Sequence, residues 1–141
     1  MIVADTNVIA YLFIPGTYTS LAEKALRKDP AWAAPMLWRS EFRNVVAGYI
    51  RRKNMSFDTA VQIVEEAETL LGNHEYAVAS FKVLELVERS NCSAYDCEFV
   101  ALAQDLDVPL LTTDNKLLKS FPTTAVPPSN LSLSSIHNFT V

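Results

Sequence analysis

The chain has 141 residues and a net charge of −4, with half of its residues apolar and a fifth charged. These values are ordinary for one globular domain and argue against a protein that coats nucleic acid through overall positive charge. The two cysteines, Cys92 and Cys97, suggest neither a zinc site nor a disulfide framework, so we expect a reduced, cytoplasmic setting. The start lacks the features of a signal peptide, and no apolar run approaches the roughly 20 residues of a membrane span, so no membrane partner is expected.

The first half of the chain is predicted to begin with a short buried strand and to continue mainly as helices. The strand, IVAD, ends at an acid, and Thr6 or Asn7 can cap the helix that follows it. The predicted elements are a strand at 2–5, helices at 6–13 and 19–28, a strand at 31–34, a helix at 35–53 opened by Pro35, and a helix from Ser56 or Asp58 to about 71.

The second half continues the alternation of strands and helices. The predicted elements are a strand at 75–78, helices at 80–89 and 94–106, a strand at 108–113 (VPLLTT), a helix at 115–121 and a strand at 123–126. The tail at 127–141 is rich in Pro, Ser and Asn and receives no predicted structure. This alternation predicts a parallel sheet covered on both faces, in a single α/β domain over 1–141 with three α/β/α layers.

Two acids directly follow apolar strands of this predicted sheet. Asp5 follows the first strand and Asp114 follows VPLLTT. Ligands of parallel sheets bind at the carboxyl ends of the strands. If these two strands are neighbours, the two carboxylates lie close together.

Two further acids lie on helix faces that offer them no partner. Glu41 has no basic residue three or four positions away, where an exposed helical Glu often has an ion pair. Asp96 shares its face with Phe99 and Val100, whereas Glu98 is expected to point toward the opposite side. A carboxylate on an apolar face requires a partner from elsewhere.

The distribution of basic residues suggests that this partner is a cation. Residues 1–23 and 90–115 contain no Lys or Arg, yet they hold three of the four acids. Clustered carboxylates raise one another's pKa unless a positive charge lies among them. Oxygen ligands suit Mg²⁺ or Mn²⁺, and such a site can activate water and stabilise the charge on a phosphate.

Each feature also has a simpler explanation. Asp5 and Asp114 can serve as helix caps, Asp96 can complement a helix dipole, and Glu41 can pair with a distant arginine. Residues 24–53 carry eight of the twelve Lys and Arg, which can form either a solvated helix face or a surface that follows a nucleic-acid backbone. The candidate RNA-binding residues in this segment are Arg39, Arg43, Arg51 and Arg52.

Four segments, taken in order, resemble the PIN-domain family and, within it, the VapC-type toxin ribonucleases. They are IVADTNVIAYL, LWRSEFRNVV, SAYDCEFVALA and LLTTDNKLL. The resemblance implies a central parallel sheet of four or five strands. It also implies a Mg²⁺ or Mn²⁺ site of four catalytic, metal-binding acids with three supporting residues. In this sequence the acids are Asp5, Glu41, Asp96 and Asp114, and the supporting residues are Thr6, Asn44 and Thr112.

The resemblance further implies an endoribonuclease that hydrolyses RNA phosphodiesters with a metal-activated water. As a toxin, it would form a homodimer through its early helices and be silenced by a small antitoxin protein. Two alternatives remain open. One is a PIN-domain nuclease that processes RNA without an antitoxin, and the other is a catalytically silent PIN-like module that only binds a partner.

Overall fold

The structure is a computed structural model that describes residues 1–130, so most of the predicted tail, residues 131–141, lies outside the described residues. Five strands form one sheet in the order β3-β2-β1-β4-β5, and every neighbouring pair is parallel. The strands are β1 (Ile2–Ala4), β2 (Trp32–Pro35), β3 (Glu75–Tyr76), β4 (Leu110–Leu111) and β5 (Ala125–Val126).

Helices cover both faces of this sheet. They are α1 (Thr6–Phe13), α2 (Thr19–Lys28), α3 (Trp38–Arg51), α4 (Phe57–Leu71), α5 (Ser80–Glu88), α6 (Ala94–Leu106) and α7 (Asn115–Ser120), with a 3-10 turn at Pro128–Asn130. Helix α1 contacts α2, α3 and α4, while α5 packs on α6, which contacts β1, β2 and β4. The predicted three-layer α/β/α fold with a parallel sheet is confirmed, and the sheet has five strands. Within residues 1–130 no helix is long and apolar enough to cross a membrane.

The central strand β1 explains why the chain begins with an apolar run. Its residues Ile2, Val3 and Ala4 are fully buried, as expected for a parallel strand that is covered on both faces. The inferred neighbour is also confirmed, because β1 pairs with β4 in the register Ala4 to Leu111. The carboxyl ends of these two strands therefore meet at one edge of the sheet.

Several predicted boundaries were wrong. Helix α3 begins at Trp38 and not at Pro35, because Pro35 ends β2 and the next amide, Met36 N, donates to the Tyr76 carbonyl beside β3. At its other end the chain leaves α3 through Lys53, whose φ of 59° is left-handed and ends the helical path. Strand β4 comprises only Leu110–Leu111 of the predicted VPLLTT segment.

Candidate functional site

Asp5 lies where β1 ends, and its carboxylate is held from two sides. Its backbone N–H donates to the Leu111 carbonyl at 2.9 Å, which places it beside the end of β4. One side-chain oxygen accepts from Thr6 N at 2.8 Å and thereby caps α1, while the other accepts from the Thr112 hydroxyl at 2.7 Å. The residue is only 7% exposed. Asp5 is therefore a helix cap and also a fixed, buried acid at the edge of the sheet.

Two threonines connect Asp5 to other acids. The Thr6 hydroxyl donates to Glu41 Oε1 at 2.7 Å, so Thr6 joins Asp5 to the first turn of α3. The Thr112 oxygen accepts from the backbone N–H of Asp114 at 3.0 Å. Asp114 itself caps α7, because its side chain accepts from the amides of Lys116 and Leu117. Hydrogen bonds therefore link three of the four predicted acids through Thr6 and Thr112.

The structure brings all four predicted acids to one cavity of about 240 Å³. It is lined by Asp5, Thr6, Asn7, Glu41, Asn44, Val45, Asp96 and Asp114. We call it the acid cavity. The acids reach it from four separate elements: the end of β1, the start of α3, the first turn of α6 and the cap of α7. Asn44 lines the same cavity, as its proposed supporting role requires.

Burial and the charges of neighbouring acids raise the pKa of Asp5, Glu41 and Asp96. Burial raises the pKa of Asp5 to about 6; the Thr112 hydrogen bond opposes this rise, and the charges of Asp96 and Glu41 add to it. Burial also raises the pKa of Glu41, against the Thr6 hydrogen bond and with a contribution from Asp96. The pKa of Asp96 is raised by burial and then by the charge of Asp114.

No positive side chain of the described residues neutralises the acid cavity. None of its four acids forms a salt bridge within residues 1–130. Lys116 lowers the pKa of Asp96, but its effect is the smallest of the four that act on that group. The simpler explanation for Glu41, a salt bridge to a distant arginine, is therefore wrong for the part of the chain that the structure describes.

The donor chemistry of the cavity suits Mg²⁺ or Mn²⁺, which can keep several waters, better than a metal that protein ligands enclose completely. In the described part of the chain, no three Asp, Glu, His or Cys side chains are placed so that they could hold a metal ion by themselves. Magnesium keeps several of its waters and binds proteins through one or two carboxylates together with substrate phosphates. A cavity in which four carboxylates repel one another fits that mode of binding.

Two residues near the site were not predicted. Asn7 was considered only as a helix cap, yet it lines the acid cavity beside Asp5, two positions along the chain. Glu98 was expected to lie away from the acids, but the charge of Glu41 raises its pKa, after the larger effect of burial. Helical spacing places Glu98 off the face of Asp96, but it does not reveal that α3 approaches α6 closely enough for this interaction.

The four arginines that were predicted to bind RNA differ from one another in their surroundings. Arg39 Nε and Nη2 donate to Glu75 at 2.6 and 2.8 Å, and Arg39 Nη1 lies 3.1 Å from Glu68. This network ties α3 to β3 and α4, so Arg39 has a structural partner that the prediction did not foresee. Arg43 is exposed and 4.0 Å from Glu68. Arg51 and Arg52 are exposed at the end of α3.

Known proteins match this chain along most of its length. The PIN domain family model matches residues 2–121. Ribonuclease VapC3 of Pyrobaculum aerophilum is 29% identical over 129 residues, which cover 89% of this chain and 98% of that protein. FitAcB from Neisseria gonorrhoeae has a TM-score of 0.73 at 16% identity, covering 93% of this chain and 100% of that chain. A toxin-antitoxin complex from Klebsiella pneumoniae has a TM-score of 0.69 at 20% identity, covering 91% and 98%.

Proposed function

The chain belongs to the PIN-domain family, and on that premise we propose that it is a divalent-metal-dependent endoribonuclease. One observation carries the proposal: four carboxylates from four separate elements line one cavity without a salt bridge in the described residues. Repulsion of this kind is costly unless a cation relieves it. The name of the relative Ribonuclease VapC3 supports RNA as the substrate.

The four acids of the cavity would hold Mg²⁺ or Mn²⁺. When bound, such an ion supplies positive charge, activation of water and stabilisation of a phosphate under attack. The protein supplies fixed ligands. Asp5 cannot rotate freely because each of its oxygens accepts a hydrogen bond, and Glu41 is restrained through Oε1 by Thr6. These restraints hold the carboxylates in place before substrate arrives.

In the proposed reaction, a water attacks the phosphodiester in line with the leaving 3′-oxygen. The new oxygen–phosphorus bond forms as the bond to the 3′-oxygen breaks, which leaves a 5′-phosphate and a 3′-hydroxyl. The attacking water must lose a proton, and Glu41 and Asp114 line the cavity where a carboxylate can accept it. The 3′-oxygen takes up a proton from solvent.

We further propose that the protein is a cytoplasmic toxin that acts as a homodimer and is silenced by a small antitoxin. The names of the relative and of the structural neighbours include a VapC ribonuclease and a toxin-antitoxin complex, and they support this assignment. The alternatives are an RNA-processing nuclease without an antitoxin and a catalytically silent PIN-like module that only binds a partner. A short neighbouring gene whose product binds this chain and blocks its activity would decide for the toxin.

Cleavage of total RNA by the purified chain, with end mapping of the products, tests the proposed activity. We expect cleavage with Mn²⁺ or Mg²⁺ and none in excess chelator. Asp96→Asn should lower the rate at least about 100-fold, because it removes a proposed metal ligand. Asp105→Asn is the matched control, since Asp105 is an exposed acid on the same helix. Full activity of the wild type in chelator, or of Asp96→Asn in Mn²⁺, would contradict the proposal.

A further inference from the structure

A second cavity opens beside the acid cavity and is rich in tyrosine. It has a volume of about 310 Å³, lies between α1, α2 and α3, and includes Tyr11, Tyr18 and Tyr49 in its lining. We call it the tyrosine cavity. It shares two lining residues, Asn7 and Val45, with the acid cavity. A ligand that extends past these two residues would therefore occupy both cavities.

The tyrosines present aromatic surface close to the acids. The rings of Tyr11 and Tyr18 have centroids 4.9 Å apart and are tilted by 38°. The Tyr11 hydroxyl is 3.2 Å from the Thr113 hydroxyl, in the segment that carries Thr112 and Asp114. Tyr11 is thereby fixed relative to the acid cavity. Tyr18 is 49% exposed, so part of its ring remains open to a ligand.

A cation lies at the third tyrosine. The guanidinium carbon of Arg52 is 5.0 Å from the centroid of the Tyr49 ring. Arg52 is exposed and forms no salt bridge within residues 1–130. An arginine in this position can contact the phosphate of a nucleic-acid strand whose base lies against the ring. The aromatic and positive groups of this region complement a nucleotide.

We propose that the tyrosine cavity binds one unpaired base of a single-stranded RNA, next to the phosphodiester that is cut at the acid cavity. This inference rests on the proposed ribonuclease function and adds to it a base-binding cavity beside the acids. Bases in a duplex are stacked on their neighbours, whereas unpaired bases stack on aromatic side chains. The volume is near the lower end of the roughly 300–1,000 Å³ range of small-molecule sites, which suits one nucleotide. The Asn7 carboxamide, at the junction, offers donors and an acceptor to a base edge.

Abasic substrates test the base site directly. The substrate is a single-stranded RNA dodecamer, chosen from a randomised pool because the wild type cleaves it, with one base removed at each position in turn. In the wild type, base removal at one position near the cut should lower kcat/KM by about 5- to 150-fold, the equivalent of 1–3 kcal/mol per stacked base. Tyr18→Ala should lower cleavage of the intact RNA and lose this penalty, whereas Tyr18→Phe should keep it.

The variants are chosen so that misfolding does not imitate the result. Tyr18 is half-exposed and its side chain makes no capping hydrogen bond to α2, so its truncation should leave the fold intact. Phe81→Ala is the control, because Phe81 is a 78% exposed aromatic on α5 that lines neither cavity. It should retain the full abasic penalty.

A second measurement separates failure of this inference from failure of the proposed function. If the wild type cleaves RNA, the abasic series decides, and an equal penalty in wild type and Tyr18→Ala, or none in either, overturns the base site. If the wild type cleaves no RNA, the proposed function fails. Fluorescence quenching of a 2-aminopurine hexamer RNA in chelator then decides. Quenching by the wild type but not by Tyr18→Ala supports the base site. Absent or equal quenching overturns it, as would happen if the cavity received a protein segment instead.

Discussion

Asp5→Asn should stabilise the metal-free protein at neutral pH while removing a proposed metal ligand. Burial and the neighbouring acids raise the pKa of Asp5 from 3.8 to about 6 in the folded protein. The unfolded chain has no such environment, so its carboxyl ionises near the ordinary value. Ionisation of Asp5 therefore destabilises the folded state, and the variant avoids this destabilisation.

The direction in which stability changes with pH follows from proton binding to Asp5 in the folded and unfolded states. Below about pH 3.8, Asp5 is protonated in both states and costs nothing. As the pH rises, the unfolded state loses its proton first, so the folded state becomes less stable until the pH passes about 6. A difference of about two pKa units, at about 1.4 kcal/mol each, corresponds to about 3 kcal/mol at pH 8.

The substitution preserves much of the local structure. The Asn oxygen can accept from Thr6 N, and the Asn amide can donate to Thr112, whose hydroxyl oxygen is able to accept. A rearranged hydrogen bond costs about 1 kcal/mol. The net gain for Asp5→Asn at pH 8 is therefore about 2 kcal/mol, and it should vanish or change sign at pH 4.

Urea unfolding in chelator at pH 4, 6 and 8, followed by the fluorescence of buried Trp32 and Trp38, measures the effect. Asp105→Asn changes the same charge at an exposed position and should show almost no difference. Added Mn²⁺ should stabilise the wild type more than Asp5→Asn. A stability difference between wild type and Asp5→Asn that is independent of pH would refute the electrostatic reasoning.

Three further predictions concern the supports of the site and the ends of α3. Thr112→Val removes the hydroxyl that donates to Asp5 and accepts from Asp114 N. It should lower stability by about 1–3 kcal/mol in urea unfolding and weaken Mn²⁺ binding about 10- to 100-fold by calorimetry. Arg39→Met leaves the Glu75 carboxylate, whose side chain is 8% exposed, without its ion-pair partner and with the hydrogen bond from Trp38 Nε1. It should lower stability by about 1–3 kcal/mol, and unchanged stability with weaker RNA binding would restore Arg39 as an RNA contact. Lys53→Gly relieves the left-handed backbone at φ 59°. It should raise the free energy of unfolding by about 0.5–1 kcal/mol, and the thermal midpoint with it. A lower midpoint would contradict this.

Much of the fold could be predicted because its signals are local. The apolar segment before Asp5 predicted β1, and the spacing of apolar residues predicted α6 with its Ser93 cap, as observed. The start of α3 was wrong by three residues because the Met36 amide bonds to Tyr76, 40 positions away, and so continues the pairing with β3 past Pro35. A long-range partner of this kind leaves no trace in local periodicity.

The residues of the site also divide into those with a local signal in the sequence and those that depend on long-range contacts. Asp5 and Asp114 could be proposed from strand ends, and the observed pairing of β1 with β4 explains why they meet. Glu41 and Asp96 could be proposed because their own helices offered no partner and because their segments resemble the PIN-domain family. The ion pairs of Arg39 with Glu75 and Glu68 could not be predicted, since α3, α4 and β3 come together only in the folded chain. The metal-binding and catalytic roles of the acids stay predictions for the experiments above.

Thr6 belongs to two structures at once, since its amide completes the cap of α1 and its hydroxyl restrains an acid on α3. Positions 6 and 41 are therefore not independent. An apolar residue at 6 would release the Glu41 side chain, and a shorter acid at 41 would fall short of the hydroxyl. Among relatives of this chain, the two positions should change together, with Ser the one simple replacement for Thr6 that keeps both hydrogen bonds.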